Sequence, residues 1–256
     1  MTENIAAMTK KYADSNGFGM PLNDKTFARY LRARDNDLEQ ATAMLDSTIT
    51  WREEFGVEDI ESWKDVMIKE NETGKAYVRG RDKQNRPIIW MKPKFENTYD
   101  HDGNIKHLVY NLERAVACGE ANGYEDGKLC LIIDFDGYSI MNAPPMKTSM
   151  ETLNILQNHY PERLAKAFLV RPPWIFHSFY SLISPFIDPV TKDKVIMLSS
   201  KKHATLVEKI EDCYLEGTVG GLDARPFEST LYLSTNDMSV CYWAQLQAKD
   251  EVEKKN

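Results

Sequence analysis

Residues 159–194 read HYPERLAKAFLVRPPWIFHSFYSLISPFIDPVTKDK, and the interpretation of the whole chain starts from them. A charged turn, Tyr160-Pro161-Glu162-Arg163, precedes a short apolar run that predicts a strand. A double proline then leads into an aromatic segment that predicts a helix from Trp174 to Ser184. Asp188-Pro189-Val190-Thr191 and Lys194 close the segment, so we expect a strand and a helix to alternate here.

The predicted helix at 174–184 has more apolar surface than a surface helix needs. One histidine and three serines form a narrow polar stripe, and the rest of its circumference is aromatic or aliphatic. It is either buried on all sides, which is the more common case, or has one face on an apolar cavity and the other at times on a membrane. Because Arg171 precedes it, Pro185 interrupts it and it is shorter than ~20 residues, it cannot span a bilayer.

The order of these motifs resembles the CRAL-TRIO lipid-transfer family, and within it the phosphatidylinositol transfer proteins. The Tyr-Pro-Glu-Arg block, a strand, a proline-flanked aromatic helix and Asp-Pro-x-Thr-x-x-Lys follow one another as in that family. The likeness extends from Asn23 to Leu233. It implies an α/β fold in which an N-terminal helical region is followed by a mainly parallel sheet, with helices that form a hydrophobic lipid-binding pocket gated by the aromatic helix.

The resemblance implies that five polar residues hold the inositol-phosphate head group: Arg34, Glu162, Arg163, Thr191 and Lys194. The chemistry fits, because a hydroxyl and an ammonium one helical turn apart suit a phosphate, and a guanidinium can bind it through two donors. The alternative is a structural Glu-Arg pair with a solvated lysine, since charged side chains usually lie at the surface. Where the family often has a lysine after Arg34, this chain has Asp35.

The same resemblance implies which apolar residues contact the lipid tails and form the gate: Leu129, Leu131, Trp174, Phe176, Phe179, Tyr180, Ile183 and Phe186. Family members that also carry phosphatidylcholine have hydroxyl residues at the positions matching Leu129 and Leu131. An apolar wall cannot hydrogen-bond the choline phosphate, and burying that phosphate unpaired is costly. We therefore predict phosphatidylinositol as the ligand with weak or absent phosphatidylcholine binding, and a sterol or other hydrophobic molecule as the alternative cargo.

The remaining segments predict helices and strands in alternation, which is typical of an α/β layer structure. Asn23 and Asp37 are candidate helix caps and Gly56 a helix stop. Strands are expected at 76–79 and 87–91 as a hairpin, at 129–133 as a strand buried on both faces, and at 195–198. Helices are expected at 105–121 and from Pro144-Pro145 onward. We divide the chain into an N-terminal helical region (1–56), a lipid-binding domain (57–236) and a C-terminal helix with a charged tail (237–256), in which we expect residues 249–256 to be frayed.

Composition excludes some classes of partner. The 32 basic and 39 acidic residues give a net charge of −7, which argues against nucleic acid and against a polybasic membrane anchor. The first residues lack the long apolar core of a signal peptide, and the four cysteines are widely spaced. We therefore expect a cytoplasmic monomer that contacts membranes peripherally and transiently, with reduced, buried thiols.

Two alternatives concern enzymes and scaffolds. Asp134-Phe135-Asp136-Gly137 resembles the start of haloacid-dehalogenase-type phosphatases, but no downstream acidic pair for magnesium accompanies it. The five histidines have no metal-ligand spacing. We expect no catalytic residues, no metal and no cofactor. A scaffold that binds the lipid without moving it is the other alternative.

Overall fold

The computed structural model of the chain describes residues 1–124, 126–199 and 204–253. The helices are α1 (Thr2–Lys11), α2 (Asp24–Arg32), α3 (Leu38–Phe55), α4 (Lys64–Asn71), α5 (His101–Ala121), α6 (Met146–Asn158), α7 (Trp174–Ile183), α8 (Pro189–Lys192), α9 (Ala204–Lys209), α10 (Ser229–Tyr232) and α11 (Tyr242–Glu253). The strands are β1 (Ala76–Arg81), β2 (Pro87–Met91), β3 (Leu129–Asp134), β4 (Leu164–Val170) and β5 (Val195–Leu198). The predicted α/β fold is confirmed.

The five strands form one sheet in chain order, β1-β2-β3-β4-β5. The first two form the predicted antiparallel hairpin, and β2 to β5 run parallel. The parallel strands therefore all begin at one edge of the sheet, which we call the amino edge, and all end at the opposite carboxyl edge. Segments that precede β3, β4 and β5 meet at the amino edge, and segments that follow β2, β3 and β4 meet at the carboxyl edge.

The two faces of the sheet differ in how well they are covered. Ile132, Phe168 and Leu198 lie in the main core with residues of α5. Their neighbours along each strand point the other way, because side chains alternate in a strand. That second face, which we call the gate face, carries Leu131, Ile133, Ala167, Leu169, Val195 and Met197. The expectation that β3 is buried on both faces is wrong, because Leu131 and Ile133 are only half-buried beneath α7.

The predicted helix signals of the N-terminal region are confirmed. The side chain of Asn23 accepts the Thr26 N–H at 3.1 Å, and Asp37 accepts the Gln40 N–H at 3.0 Å. Gly56 ends α3 with φ of 74°, a left-handed conformation that glycine adopts without strain. The first three helices bury their own hydrophobic cluster beside the sheet domain.

Several boundaries differ from the predictions for local reasons. Helix α5 begins at His101, four residues before the first apolar position of the predicted helix. Pro145 is the cap of α6 rather than part of its first turn. Pro185 ends α7 in a 3₁₀ turn at Ser184–Phe186. Lys249 lies inside α11 rather than in a frayed tail, and residues 254–256 lie outside the described residues.

The expectation of four reduced, buried thiols is wrong. Cys118 and Cys241, 123 residues apart in sequence, form a disulfide that joins α5 to the start of α11, and Trp243 packs beside it. Cys130 is a buried thiol and Cys213 is exposed. The wide spacing concealed this pair because the fold, and not sequence proximity, brings α5 and α11 together.

His107 of α5 makes stability dependent on pH. Burial, and then the nearby charge of Lys75, lower its pKa from 6.5 to about 3, so the folded state holds it neutral. The unfolded chain then binds the additional proton, and stability is lost as the pH falls from 6.5 towards 3. We expect the unfolding free energy to fall by about 2 kcal/mol more in the wild type than in His107→Gln between pH 6.5 and pH 4.5, measured by urea denaturation. Equal losses in the two proteins would contradict this assignment.

Candidate functional site

Three charged side chains meet at the amino edge of the sheet. Glu162 lies between two lysines, with Oε2 3.7 Å from Lys128 Nζ and Oε1 3.7 Å from Lys194 Nζ. Each comes from the segment that leads into a different parallel strand: Lys128 into β3, Glu162 into β4 and Lys194 into β5. All three are partly exposed, and we call them the edge cradle. Its formal charge is +1 in a chain whose net charge is −7.

The turn that carries Glu162 is held from behind by the N-terminal helices and α5. Tyr160 donates its hydroxyl to Glu113 Oε1 at 2.5 Å, and Arg29 donates to the Pro161 carbonyl at 3.4 Å. Glu162 itself has φ of 55°, which costs a non-glycine residue free energy. Such strain persists where the surrounding contacts fix the backbone, and it is common at functional sites. Contacts of the neighbouring Tyr160 and Pro161 therefore fix the backbone from which the Glu162 side chain extends.

A buried ion pair fastens the N-terminal helices to this turn. Arg52 of α3 binds Glu113 of α5 through two hydrogen bonds of 2.8 and 3.0 Å. Burial opposes ionisation of Glu113, but Arg52 and the Tyr160 hydroxyl outweigh it and lower the pKa of that carboxyl. Trp51 stacks on His159 at 4.3 Å, and burial followed by the charge of Arg52 lowers the pKa of His159 to about 4.

Arg163 points into the interior and not into the edge cradle. Its Nη1 donates to the Tyr124 hydroxyl at 2.9 Å and to the Gly127 carbonyl at 2.8 Å. It lies near the buried Arg29, whose pKa falls to about 10 because of burial first and the charge of Arg163 second. Among the described residues, no hydrogen bond or ion pair joins Arg163 to the Glu162 carboxylate, and Arg163 and Lys194 are both cations. The structure therefore brings Glu162 and Lys194 together and gives Arg163 contacts that fix the preceding loop.

Thr191 is held one turn away from Lys194. Asp188 caps α8 by accepting the Thr191 N–H at 3.2 Å, and the Lys194 N–H donates to the Thr191 carbonyl at 3.1 Å. The 3₁₀ turn before it and α8 itself thus place Thr191 and Lys194 close to the start of β5.

Arg34 occupies a different place from the edge cradle. It lines a surface cleft of about 420 Å³ between α3 and α6, together with Gln40, Ala43, Met44, Ser47, Asn154, Asn158 and His159. Its guanidinium donates to the Ala33 carbonyl at 2.9 Å. The cleft reaches His159, three residues before Glu162, but no described contact joins Arg34 to Glu162, Thr191 or Lys194.

The predicted gate residues divide into an inner and an outer set. The inner set, spaced along one side of α7, is half-buried, and its first member packs against the gate-face cluster: Phe176, Phe179, Tyr180 and Ile183. Phe176 contacts Phe135 at a centroid distance of 4.6 Å. The outer set consists of the predicted Trp174 and Phe186, which are 79% and 60% exposed, and it is joined by Leu182, which was not predicted and is 61% exposed. Since α7 contains no fully buried residue, the interpretation of a helix buried on all sides is wrong.

The two leucines predicted to line the tail pocket do not share one environment. Leu131 is half-buried on the gate face, whereas Leu129 is fully buried in the main core. The pairing of β3 with β4 shifts register between Leu129 and Cys130, and this shift interrupts the regular alternation of side chains between Leu129 and Leu131. Only Leu131 is therefore available to line a space beneath α7.

The Asp-x-Asp motif lies at the carboxyl edge, where its first carboxylate is bound by an arginine. Asp134 is buried and pairs with Arg171, the residue that leads into α7. Arg171 also donates to the Thr218 carbonyl at 3.2 Å and lies 3.6 Å from Asp136. Among residues 1–124, 126–199 and 204–253, no group of three acidic, histidine or cysteine side chains could hold a metal ion.

Lys128 is the member of the edge cradle that sequence reasoning missed. Its position in the sequence could have identified it. It directly precedes β3, and the residues that precede neighbouring parallel strands lie close together at one edge of the sheet. The glycine and acidic residues around it made the segment resemble an ordinary loop.

Comparison with known proteins finds two family models that match the chain. Residues 71–221 match the CRAL/TRIO domain model, and residues 2–47 match the CRAL/TRIO N-terminal domain. The chain is 36% identical over 185 residues to the phosphatidylinositol transfer protein PDR17 of Saccharomyces cerevisiae, covering 68% of this chain and 52% of that protein. It is 32% identical over 243 residues to the SEC14 cytosolic factor of Kluyveromyces lactis, covering 88% of this chain and 80% of that protein.

A third relative and a solved structure complete the comparison. A CRAL-TRIO domain-containing protein of Schizosaccharomyces pombe is 38% identical over 174 residues, which cover 68% of this chain and 17% of that much longer protein. The crystal structure of Sfh5 has a TM-score of 0.68 at 18% identity, covering 98% of this chain and 94% of that one, and so shares the fold. In the part of the chain that the structure describes, no helix is both long and apolar enough to cross a bilayer.

Proposed function

The chain belongs to the CRAL/TRIO family, and from this premise we propose that it binds phosphatidylinositol between α7 and the gate face and carries it between membranes. The observation that supports this most is the edge cradle, which lies at the end of a half-covered apolar sheet face. A charged cluster beside an apolar surface suits a lipid, which has both kinds of group in one molecule.

The charge of the cradle favours an anionic head group that carries hydroxyls. A phosphodiester has one negative charge, and the ammonium groups of Lys128 and Lys194 can donate to its oxygens. The ion pairs to Glu162 are long at 3.7 Å, so the lysines keep donors available. The Glu162 carboxylate accepts hydrogen bonds from sugar hydroxyls, and the Thr191 hydroxyl adds a neutral donor. Arg163 acts in this proposal as a positioning residue behind the turn.

The gate face offers a surface of the right length for acyl chains. Strand β4 has seven residues and so extends for about 23 Å from the cradle to the carboxyl edge. The side chains of β3, β4 and β5 that lie on the gate face are apolar, and those of Leu131, Ile133 and Met197 are incompletely covered. Each methylene of a lipid tail loses about 0.8 kcal/mol of favourable burial when it leaves the bilayer. Tails that lie along the gate face are buried again, which offsets this loss.

The outer side of α7 provides the contact with the membrane. Its exposed aromatic and aliphatic groups are unfavourable in water and favourable at a bilayer interface. We expect α7 to move away from the gate face when these groups partition into the bilayer interface. This movement opens a path through which a lipid enters or leaves. Exchange in this scheme requires no covalent chemistry, so the protein acts as a peripheral carrier on cytoplasmic membrane surfaces rather than as an enzyme.

Lipid selectivity follows from the apolar wall and the cationic cradle. Leu131 offers no hydrogen bond to a phosphocholine, and a choline ammonium would lie close to two lysines. We expect native mass spectrometry of protein purified from cells to find phosphatidylinositol in at least about tenfold excess over phosphatidylcholine, since even one unmatched polar group costs over 1 kcal/mol. Abundant phosphatidylcholine would contradict the selectivity, and a bound sterol would replace the proposed cargo.

A vesicle assay tests transfer itself. Labelled phosphatidylinositol should move from donor to acceptor vesicles in proportion to protein concentration. A scaffold would bind the lipid without increasing its transfer. A phosphatase would hydrolyse a generic phosphate ester when magnesium is added, which the Asp134–Arg171 pair disfavours because it occupies the carboxylate that would have to attack.

A further inference from the structure

The backbone directly before α7 has a conformation that its residue type disfavours. Arg171 has φ of 56°, in the left-handed region that glycine enters freely and that other residues avoid, because their Cβ then crowds the neighbouring carbonyl oxygen. Pro172 follows it, and a proline favours an extended backbone at the residue before it. After a second proline α7 begins, at Trp174. The strain therefore lies at the start of the segment that the proposed function requires to move.

Contacts with three other segments of the carboxyl edge hold Arg171 in this conformation. Its guanidinium pairs with Asp134 at the end of β3, and Asp136 lies 3.6 Å from the same group. The guanidinium also donates to the Thr218 carbonyl at 3.2 Å. The Arg171 N–H donates to the Leu198 carbonyl, at the end of β5, at 2.7 Å. A strained backbone persists where contacts of this kind fix it, and it is common at functional sites.

Burial makes the pair with Asp134 difficult to break. The side chain of Asp134 is 3% exposed and that of Arg171 is 16% exposed. A buried charge that loses its partner is strongly destabilising, so the Asp134 carboxylate keeps the guanidinium in place. Arg171 Nε is buried and donates no hydrogen bond to any residue that the structure describes. This unmatched donor is a second unfavourable feature at one residue, and such features are typical of sites kept for function rather than for stability.

The first turn of α7 rests on the strand end that binds Arg171. Phe135 directly follows Asp134, and its ring contacts Phe176 of α7 at a centroid distance of 4.6 Å. Beneath this contact lies Leu169, which is 3% exposed and belongs to the gate-face cluster against which Phe176 packs. A change in the backbone at Arg171 therefore displaces the part of α7 that covers this end of the gate face.

We propose that Arg171 is a positioning residue for lipid exchange. Its ion pair with Asp134 holds the backbone before α7 in a conformation that it otherwise leaves, and this keeps α7 seated on the gate face while no bilayer is present. The inference rests on the proposed function, because it takes α7 as the cover of the lipid site. It assigns to one side chain the task of keeping that cover closed.

Two matched variants separate the backbone conformation from the ion pair. Removing Arg171 alone would leave the buried Asp134 carboxylate unpaired, so both variants also carry Asp134→Asn. In the first, Arg171→Ala removes the side chain but retains the unfavourable φ. In the second, Arg171→Gly removes the side chain and the conformational cost together. Since both lack the ion pair, a difference between them arises from the strained backbone.

A thiol placed beneath α7 measures how often the gate face is uncovered. Leu169→Cys introduces it, Cys213→Ser removes the exposed thiol, and the rate of reaction with DTNB is recorded. The Asp134→Asn/Arg171→Ala protein should react about tenfold faster than the Asp134→Asn/Arg171→Gly protein, which is the factor that a left-handed conformation costs a non-glycine residue. The protein that retains Arg171 and Asp134 should react most slowly.

Two further readouts accompany this rate. Cys130 is buried in the main core, so it reacts only on global unfolding and should react far more slowly than the thiol introduced by Leu169→Cys. Low concentrations of urea should accelerate the reaction of Cys130 alone, because movement of α7 exposes little surface. Release of bound NBD-labelled phosphatidylinositol to albumin, without vesicles, should follow the same order of variants as the thiol beneath α7.

The outcomes separate this inference from the proposed function. Equal thiol rates in the Ala and Gly variants would overturn the role of Arg171, even if the wild type transfers phosphatidylinositol between vesicles. Reaction of Cys130 and of the introduced thiol at one rate would overturn it as well, because the strain then acts on overall stability. If the thiol rates follow the expected order but the wild type binds no phosphatidylinositol, the proposed function fails and the role of Arg171 stands.

Discussion

Replacing Lys194 with Met should reduce phosphatidylinositol transfer between vesicles by about tenfold to a hundredfold. The substitution keeps the apolar stem and removes only the ammonium, which is a charge-assisted donor in the edge cradle. Hydrogen bonds to charged groups contribute about 1.5–3 kcal/mol, which corresponds to this range. It also leaves Glu162 with Lys128 as its only cationic partner in the cradle, which makes the site neutral. Transfer of fluorescent phosphatidylinositol at limiting protein concentration measures the effect.

Two further variants make this result specific. Lys69→Met removes an exposed lysine from α4 and should transfer at the wild-type rate. Arg163→Ala should instead lower the unfolding free energy, because Arg163 is buried and donates hydrogen bonds to Tyr124 and Gly127. Wild-type transfer by Lys194→Met, with the bound lipid unchanged, would remove Lys194 from the head-group site.

Removal of the Cys118–Cys241 disulfide should lower the unfolding free energy by about 3–5 kcal/mol. The bond closes a loop of 123 residues, and a crosslink of this length strongly restricts the unfolded chain. The Cys118→Ser/Cys241→Ser variant should therefore unfold at a clearly lower urea concentration, measured by tryptophan fluorescence. A reducing agent should destabilise the wild type by a similar amount.

The cysteine controls separate the crosslink from its packing. Cys213→Ser changes an exposed thiol and should leave stability unchanged. Reductant should not alter the Cys118→Ser/Cys241→Ser variant, whose crosslink is already absent. If reduction of the wild type has no effect while the double variant is destabilised, the loss arises from packing around Trp243 rather than from the crosslink.

Most of the architecture could be predicted because its signals are local. The caps at Asn23 and Asp37, the stop at Gly56 and the apolar strands depend on neighbouring residues in the sequence. The disulfide could not be predicted, because it depends on where two distant helices pack. The half-buried state of Leu131 was missed for a related reason: an apolar run does not show how closely a helix will cover it.

The candidate site was only partly accessible to sequence reasoning. The resemblance grouped Glu162, Thr191 and Lys194 as head-group residues, and the sheet brings the segments that carry them to one edge. Side-chain direction was not encoded in that pattern. Glu162 and Arg163 are adjacent in sequence, yet the left-handed backbone at Glu162 directs one to the surface while buried acceptors hold the other inside.

The crossover that contains α7 is fastened at both ends. Arg171 ties its beginning to Asp134, and at its end the Lys194 carbonyl accepts the Ala167 N–H at 2.9 Å, which joins it to β4 near the opposite edge of the sheet. A segment fixed at both ends cannot swing about a single hinge. It opens by bowing outward at α7, which contains no fully buried residue. The opening is then a long slot parallel to the strands. A lipid would pass through it broadside, with its phosphate and its tails crossing the rim at the same time.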